Sequence, residues 1–253
     1  MPTLKRNGVH IYYEVHGSGP TVLLTNGYSA TAEMWKPNIA ALSQHYRLIL
    51  WDMRGHGQSD SPDDPAAYSE EATVADMAAL LDAHGVEQTV IGGLSLGGYM
   101  SLAFHLAHPE RVKALMLLDT GPGYKRDEPR AGWNKRAEAT AREYETKGLA
   151  ALGRSAEVLA SNHRSAQGLA HAARGMLAQR DARVINSLDS IKVPTLVLVG
   201  AKDEPFLAAT DYMASKIPGA TKVIIPDAGH AANIDQPEAF NKAVLAFLER
   251  VGA

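Results

Sequence analysis

The stretch that decides the reading of this chain is Thr89-Val90-Ile91-Gly92-Gly93-Leu94-Ser95-Leu96-Gly97-Gly98-Tyr99-Met100. Thr89 to Ile91 is a short apolar run of strand type, and a helical stretch opens near Gly98. Between them Gly93-Leu94-Ser95-Leu96-Gly97 has the G-x-S-x-G spacing of a nucleophile elbow, in which a serine is thrust out at a sharp strand-to-helix turn. The flanking glycines let strand and helix approach, because a Cβ at either position would clash. The serine oxygen then stands at a helix N-terminus, where partial positive charge favours a developing anion. A glycine-rich turn with an idle surface serine would carry the same five letters. The extra small residues Gly92 and Gly98, with strand and helix on the correct sides, argue against it. The motif predicts a serine hydrolase, so the rest of the chain should supply a base, an acid and an oxyanion hole.

Outward from the elbow, the chain repeats the same grammar. Val9 to Val15 alternates apolar and polar behind Asn7-Gly8, a strong hairpin pair. Short apolar runs follow at Thr21 to Thr25, Arg47 to Trp51, Ala114 to Leu118, Thr195 to Val199 and Lys222 to Ile225. Helical patterns separate them at Glu33 to Gln44, Ser69 to His84, Gly98 to His108, Leu207 to Lys216 and Pro237 to Arg250, with Asp235 as capping residue of the last. Continuous apolar strands spaced by helices predict an α/β fold with a mostly parallel central sheet covered on both faces.

One segment breaks the rhythm. From 121 to 190 there is no strand-like run, only Ala-, Arg- and Glu-rich helical sequence, which predicts a helical cap inserted in a core made of residues 1–120 and 191–253. Such a cap would lie over the C-terminal sheet edge, where open α/β sheets bind ligands. From Gly121 to Ile185 there are twelve Lys and Arg against seven Asp and Glu, inside a chain of net charge −3.

A serine hydroxyl needs a base. Asp203 follows the strand Leu196 to Val199, and His230 follows the strand Val223 to Ile225, so both fall at the strand ends that carry Ser95. The order serine, acid, histidine is the one this architecture uses. Asp203 competes for the acid role with its neighbour Glu204 and with Asp119, which ends Leu115 to Leu118 and is the fallback; a loop after the strand gives Asp203 the reach to the imidazole. His105, His108, His163 and His171 read as structural or solvated, Asp52 as a strand-end anchor, and Arg54-Gly55-His56-Gly57 as a tight turn in which Arg54 bonds nearby carbonyls.

Ser95, Asp203 and His230, together with Asp52-Met53-Arg54-Gly55-His56-Gly57-Gln58-Ser59-Asp60, resemble the α/β-hydrolase fold superfamily over essentially the whole chain. Within it, Thr25-Asn26-Gly27-Tyr28, Met34-Trp35 and Asn233-Ile234-Asp235-Gln236-Pro237-Glu238 look most like the 3-oxoadipate enol-lactonase-like esterases and lactonases. The resemblance implies an oxyanion hole made by the backbone N–H groups of Tyr28 and Leu96. It also implies a small-molecule ester or lactone substrate. Pocket residues are expected from the loop at Tyr28, the elbow helix at Tyr99 and the cap at Trp133. The cationic cap and the lactonase likeness together predict tolerance or preference for a substrate with a distant carboxylate, met by Arg130, Lys135, Arg136 or Arg164. A serine at the elbow excludes the dehalogenase and epoxide-hydrolase branches, whose nucleophile is an aspartate. Acyl transfer, perhydrolysis, carbon–carbon bond hydrolysis and a non-catalytic ligand receptor share the same triad and stay as alternatives.

Composition bounds the rest. At 253 residues, 45% hydrophobic and 21% charged, the chain suits one large globular domain. The near-balanced charge gives no global pull toward nucleic acid or an anionic membrane. No run approaches the ~20 apolar residues that span a bilayer, and the N-terminus lacks the apolar segment of a signal peptide, which predicts a cytoplasmic protein. Without cysteine there is no thiol catalysis or thiolate metal site. No His-x-x-x-His with a carboxylate partner and no phosphate-loop lysine appear, so neither metal nor cofactor is expected. Oligomeric state is left open.

Overall fold

The inner strands obey one rule: alternate residues of a continuous apolar run face opposite sides of the sheet, and each side needs its own cover. In the strand Val112–Leu118, Leu115 and Leu117 pack into one core while Ala114, Met116 and Leu118 pack into another. All five are fully buried. Each buried leucine is worth about 1.5–3 kcal/mol relative to exposure, so the run is stabilised from both faces at once.

The computed structural model describes residues 2–252. Eight strands, β1 (Thr3–Arg6), β2 (Val9–His16), β3 (Thr21–Thr25), β4 (Arg47–Trp51), β5 (Thr89–Leu94), β6 (Val112–Leu118), β7 (Thr195–Gly200) and β8 (Thr221–Ile225), form one sheet. Their order is β1-β2-β4-β3-β5-β6-β7-β8, antiparallel at β1/β2 and β2/β4 and parallel elsewhere. Asn7 and Gly8 turn the β1–β2 hairpin with both residues at positive φ.

The helices are α1 (Lys36–Leu42), α2 (Glu70–Ala83), α3 (Leu96–Ala107), α4 (Asp127–Lys147), α5 (Ala156–Leu159), α6 (Ala166–Ala172), α7 (Arg183–Asn186), α8 (Glu204–Lys216), α9 (Ala232–Asp235) and α10 (Pro237–Arg250). Helices α2, α3 and α8 cover one face of the sheet through Met77, Leu80, Met100, Phe104 and Met213. On the other face α10 lays down Phe240, Val244, Phe247 and Leu248, an apolar stripe at helical spacing. Among the described residues no helix is long and apolar enough to cross a membrane.

The cap enters between β6 and β7 as α4 to α7, with no strand among its described residues. Along one stretch it is fastened to main-chain groups of the core. Arg164 Nε donates to the Gly57 carbonyl at 3.0 Å, and its Nη2 reaches the Ser59 carbonyl at 3.2 Å. His163 takes the Gly57 N–H on Nδ1 at 3.2 Å and offers Nε2 to the Ser29 carbonyl at 3.0 Å.

Three sequence expectations shift. The helix expected over Glu33 to Gln44 is a single 3-10 turn, Ala32–Trp35, followed by α1. Pro37 has no N–H and is tolerated only in a first turn, so the helix restarts there. Helix α8 begins at Glu204 rather than Leu207, with Pro205 in its first turn. Asp235 does not cap α10, whose preceding residue is Gln236 with no side-chain cap. Its Oδ2 accepts instead from the Gly229 N–H at 2.7 Å.

Candidate active site

Ser95 sits at φ 55°, ψ −117° between β5 and α3, a left-handed conformation that costs of order 1–3 kcal/mol in a non-glycine residue. The surroundings over-determine it. A Cβ on Gly97 would lie 2.1 Å from the Thr25 carbonyl oxygen, so only glycine lets the start of α3 press on the end of β3. The Ser95 N–H donates to Leu118 O at 2.9 Å, and Thr120 Oγ1 donates to Ser95 O at 2.6 Å. Ser95 is therefore gripped by β6 on one side and β3 on the other.

The end of β3 leads straight into the loop expected to receive an oxyanion. Asn26 donates from Nδ2 to the carbonyls of Gly27 and Ala30, and the Ala30 N–H closes a turn on Gly27 O at 3.2 Å. This fully buried side chain does the work of fixing the turn, which explains how asparagine serves there. Among the described residues neither the Tyr28 nor the Leu96 amide donates to a protein acceptor. Two N–H groups without protein acceptors, one in the loop after β3 and one following Ser95, are the kind of donor a tetrahedral oxyanion requires.

Asp203 and His230 meet across neighbouring strand ends. His230 Nδ1 lies 2.7 Å from Asp203 Oδ2. Their loops are stitched together by Ala201 N–H to Ile225 O at 2.9 Å and Lys202 N–H to Ala228 O at 2.8 Å. Burial disfavours the imidazolium of His230, but the hydrogen bond and charge of Asp203, with Asp119 and Glu157 nearby, outweigh it and raise the pKa above the usual histidine value. Among the described residues no hydrogen bond joins Ser95 Oγ to His230. The structure couples His230 to Asp203 and leaves Ser95 Oγ free of it, and such side-chain hydrogen bonds are often long or unmade without substrate.

Asp119 is built differently. It lies fully buried at φ 44°, its Oδ1 accepts from the Gly200 N–H at 2.7 Å, and its Oδ2 has no partner. Burial pushes its pKa up to about 8, against the pull of the Gly200 N–H. A carboxyl that keeps its proton ties β6 to β7; the residue hydrogen-bonded to the imidazole is Asp203.

The other motif residues fall away from the chemistry. Arg54 forms two hydrogen bonds with the buried Asp76 carboxylate, at 2.6 and 2.9 Å, and also reaches the Ala67 carbonyl at 3.3 Å. Asp52 anchors its strand end by accepting from Ala32 N–H at 2.7 Å and Gln58 N–H at 2.8 Å. His56 is fully buried, and burial holds its pKa down at about 3.

A cavity of about 270 Å³ opens beside Ser95 and Leu96. Tyr99 and Trp133 line it; Tyr28 does not, and its hydroxyl donates to Leu169 O at 2.8 Å under the cap. None of the four cap cations expected to face a carboxylate lines it either. Arg130 is occupied by Asp127 and the Tyr124 carbonyl, Arg164 by the core loop, and Lys135 and Arg136 are exposed. Three residues overlooked in the sequence do matter here: Phe206, whose ring stacks on His230, Gln179 and Thr120. Phe206 was findable, standing one helical turn after Asp203; Gln179 had no signal, since cap packing leaves no trace in strand periodicity.

Comparison with known proteins adds three findings. The family described as alpha/beta hydrolase fold matches residues 20–180. 3-oxoadipate enol-lactonase 2 of Acinetobacter baylyi is 30% identical, over 98% of this chain and 96% of its own. Two solved structures at 30% identity superpose over nearly the full length. The thermophilic esterase from Thermogutta terrifontis has a TM-score of 0.83, covering 99% of this chain and 97% of its own. The enol-lactonase from Burkholderia xenovorans LB400 has a TM-score of 0.78, covering 98% and 100%.

Proposed function

The chain belongs to the alpha/beta hydrolase fold family, and from that premise we propose that Ser95, His230 and Asp203 form its catalytic triad, served by the Tyr28 and Leu96 amides. The activity is that of a serine-type hydrolase of carboxylic ester or lactone bonds, with a small molecule as substrate. The observation that carries the residue assignment is the strained Ser95 elbow standing at the same sheet edge as the His230–Asp203 hydrogen bond of 2.7 Å.

In this reading Ser95 Oγ attacks the acyl carbon while His230 Nε2 takes its proton. Asp203, holding Nδ1–H, keeps the imidazole in the tautomer whose Nε2 is free to accept, and stabilises the cation that forms. The tetrahedral oxygen carries its charge toward the Tyr28 and Leu96 N–H groups, which need not reorganise at the moment of reaction. The imidazolium then protonates the departing alkoxide. Water, deprotonated by the same nitrogen, cleaves the acyl-enzyme and restores the serine. Tyr99 and Trp133, as cavity walls, contact the substrate.

An organophosphonate ester should inactivate the protein and leave one adduct, on the peptide containing Ser95, by mass spectrometry. An adduct on any other residue overturns the assignment.

A further inference from the structure

The cavity beside Ser95 has walls of Leu96, Tyr99, Tyr124, Trp133, Leu177 and Phe206, and among the described residues no charged side chain lines it. One carboxamide interrupts this apolar surface. Gln179 is only 8% exposed, and its Oε1 has no hydrogen-bond partner. Buried polar atoms without partners are uncommon, and each asks for an explanation.

The position is built to hold that side chain. The Gln179 N–H donates to Asn134 Oδ1 at 2.8 Å, and Asn134 Nδ2 returns to Gln179 O at 2.7 Å, so α4 clamps its main chain on both sides. Gly123, at φ +89°, leaves room for the carboxamide; a Cβ there would fall 2.8 Å from Oε1. A fixed carboxamide offers a donor and an acceptor together.

The charge around the cavity points the same way. Tyr99 lines the wall and donates from its hydroxyl to Glu70 at 2.9 Å, and Glu70 in turn is paired with Arg183 at 3.6 Å, so this polar group and this cation are already engaged behind the wall. The cap cations are committed elsewhere or exposed. A substrate carboxylate entering here would lose its hydration and find no cation in the cavity wall. Burying an unpaired charge is far more costly than burying a hydrogen-bonded neutral group.

We propose that Gln179 is the specificity-determining residue of this cavity, and that the substrate is an ester or lactone whose tail ends in a neutral hydrogen-bonding group rather than a carboxylate. The inference rests on the reading of Ser95 as nucleophile and adds the substrate class to it. A carboxamide or hydroxyl, each able to donate to Oε1, would satisfy Gln179; a plain alkyl tail would fit the walls and leave it unpaired.

The test uses three nearly isosteric tails. 4-Nitrophenyl esters of 5-methylhexanoic acid, glutaramic acid and glutaric acid end in an isopropyl, a carboxamide and a carboxylate. A second series carries the same tails on the alcohol of acetate esters, so that either end of the substrate can occupy the cavity. In at least one series kcat/KM should be about tenfold higher for the carboxamide than for the alkyl tail, with the carboxylate slowest at both low and high salt. Gln179→Leu should abolish the carboxamide advantage, with its thermal melt and its labelling at Ser95 reporting that the variant is folded. Gln179→Met is run beside it, so that a folding defect in one variant does not decide the outcome. A carboxamide advantage that survives both substitutions overturns the role of Gln179. A carboxylate tail as fast as the alkyl tail in both series overturns the neutral class. Wild-type protein that labels at Ser95 yet shows no tail preference sinks this inference alone, whereas absence of labelling at Ser95 sinks the reading beneath it.

Discussion

The imidazole of His230 is stacked on the ring of Phe206, with centroids 5.0 Å apart and 27° between the planes. Phe206 stands in the first turn of α8, its N–H on the Asp203 carbonyl at 2.9 Å. One turn of chain thus supplies the carboxylate on the edge of the imidazole, the apolar plate against its face, and part of the cavity wall. Phe206→Ala should lower kcat about tenfold for every ester tested, the scale of one aromatic pair, while Phe206→Tyr should keep most of it. Steady-state kinetics on both variants check this; an unaltered kcat in the alanine variant means the ring does not hold the base.

Ser95→Ala should eliminate burst acylation and reduce turnover by on the order of 10⁴-fold or more, because nucleophile and base act as a unit. The hydroxyl makes no structural hydrogen bond among the described residues, so the melting temperature should stay within a few degrees of wild type. Full activity in the purified variant would refute the nucleophile.

The two carboxyls near His230 should separate cleanly. Asp203→Asn deprives Nδ1 of its acceptor and permits the wrong tautomer, so activity should fall by roughly 10³–10⁴-fold. Asp119→Asn replaces a carboxyl that already keeps its proton and should retain most activity. Its signature is in stability. From the ordinary value of 3.8 up to about 8, the unfolded chain ionises this group while the folded chain does not, so wild-type stability drains away as pH rises through that window. Asparagine cannot ionise, and the stability of Asp119→Asn relative to wild type should grow between pH 5 and pH 8. Denaturant melts at several pH values measure the gap; a constant gap contradicts a protonated Asp119.

With His230 as the proposed base, turnover needs its neutral form. Since burial is outweighed by Asp203 and its acidic neighbours, the imidazole holds its proton to a higher pH than usual, and the acid limb of kcat/KM should have its midpoint above 6.5. In the residual activity of Asp203→Asn the main opposing influence is gone, burial remains, and the midpoint should move down. A pH–rate profile of each protein decides; a limb that stays in place exonerates Asp203.

Gly97→Ala should be severely destabilising, since the new methyl would sit 2.1 Å from main-chain oxygen that cannot swing aside. Loss of soluble folded protein, or a drop of several degrees in Tm with activity lost, is the expected result. A well-folded, active variant would show that α3 can retreat from β3.

What the sequence disclosed follows from what backbone geometry demands. The inner strands were legible because a run such as Leu115 to Leu118 must satisfy two faces at once. The elbow was legible because its glycines are set by contacts with main chain at Thr25. Asp203 and His230 could be located as loop residues after strands, although the sequence left Asp119 competing; the 2.7 Å hydrogen bond to Asp203 is a property of packing. Asp235 looked like a helix cap because aspartate two residues before a proline usually is one, yet its carboxylate steadies Gly229 next to His230. The cap was the opaque part. Helical periodicity tells which face is apolar and not which neighbour it meets, so the direction of Arg130 and Arg164 and the burial of Gln179 were out of reach.

One stretch of the seam between cap and core is asymmetric in its atoms. There the cap contributes side chains, Arg164 and His163, whereas the core contributes the carbonyls of Ser29, Gly57 and Ser59 and the Gly57 N–H. Peptide carbonyls are common to every residue type. Substitutions at Gln58 and its neighbours can therefore accumulate without loosening this stretch, provided the loop keeps its course. Elsewhere side chains meet from both sides, Ser29 with Tyr144 and Glu71 with Arg180. Sequence drift should be cheap for the core along the first stretch and dear for both partners along the second.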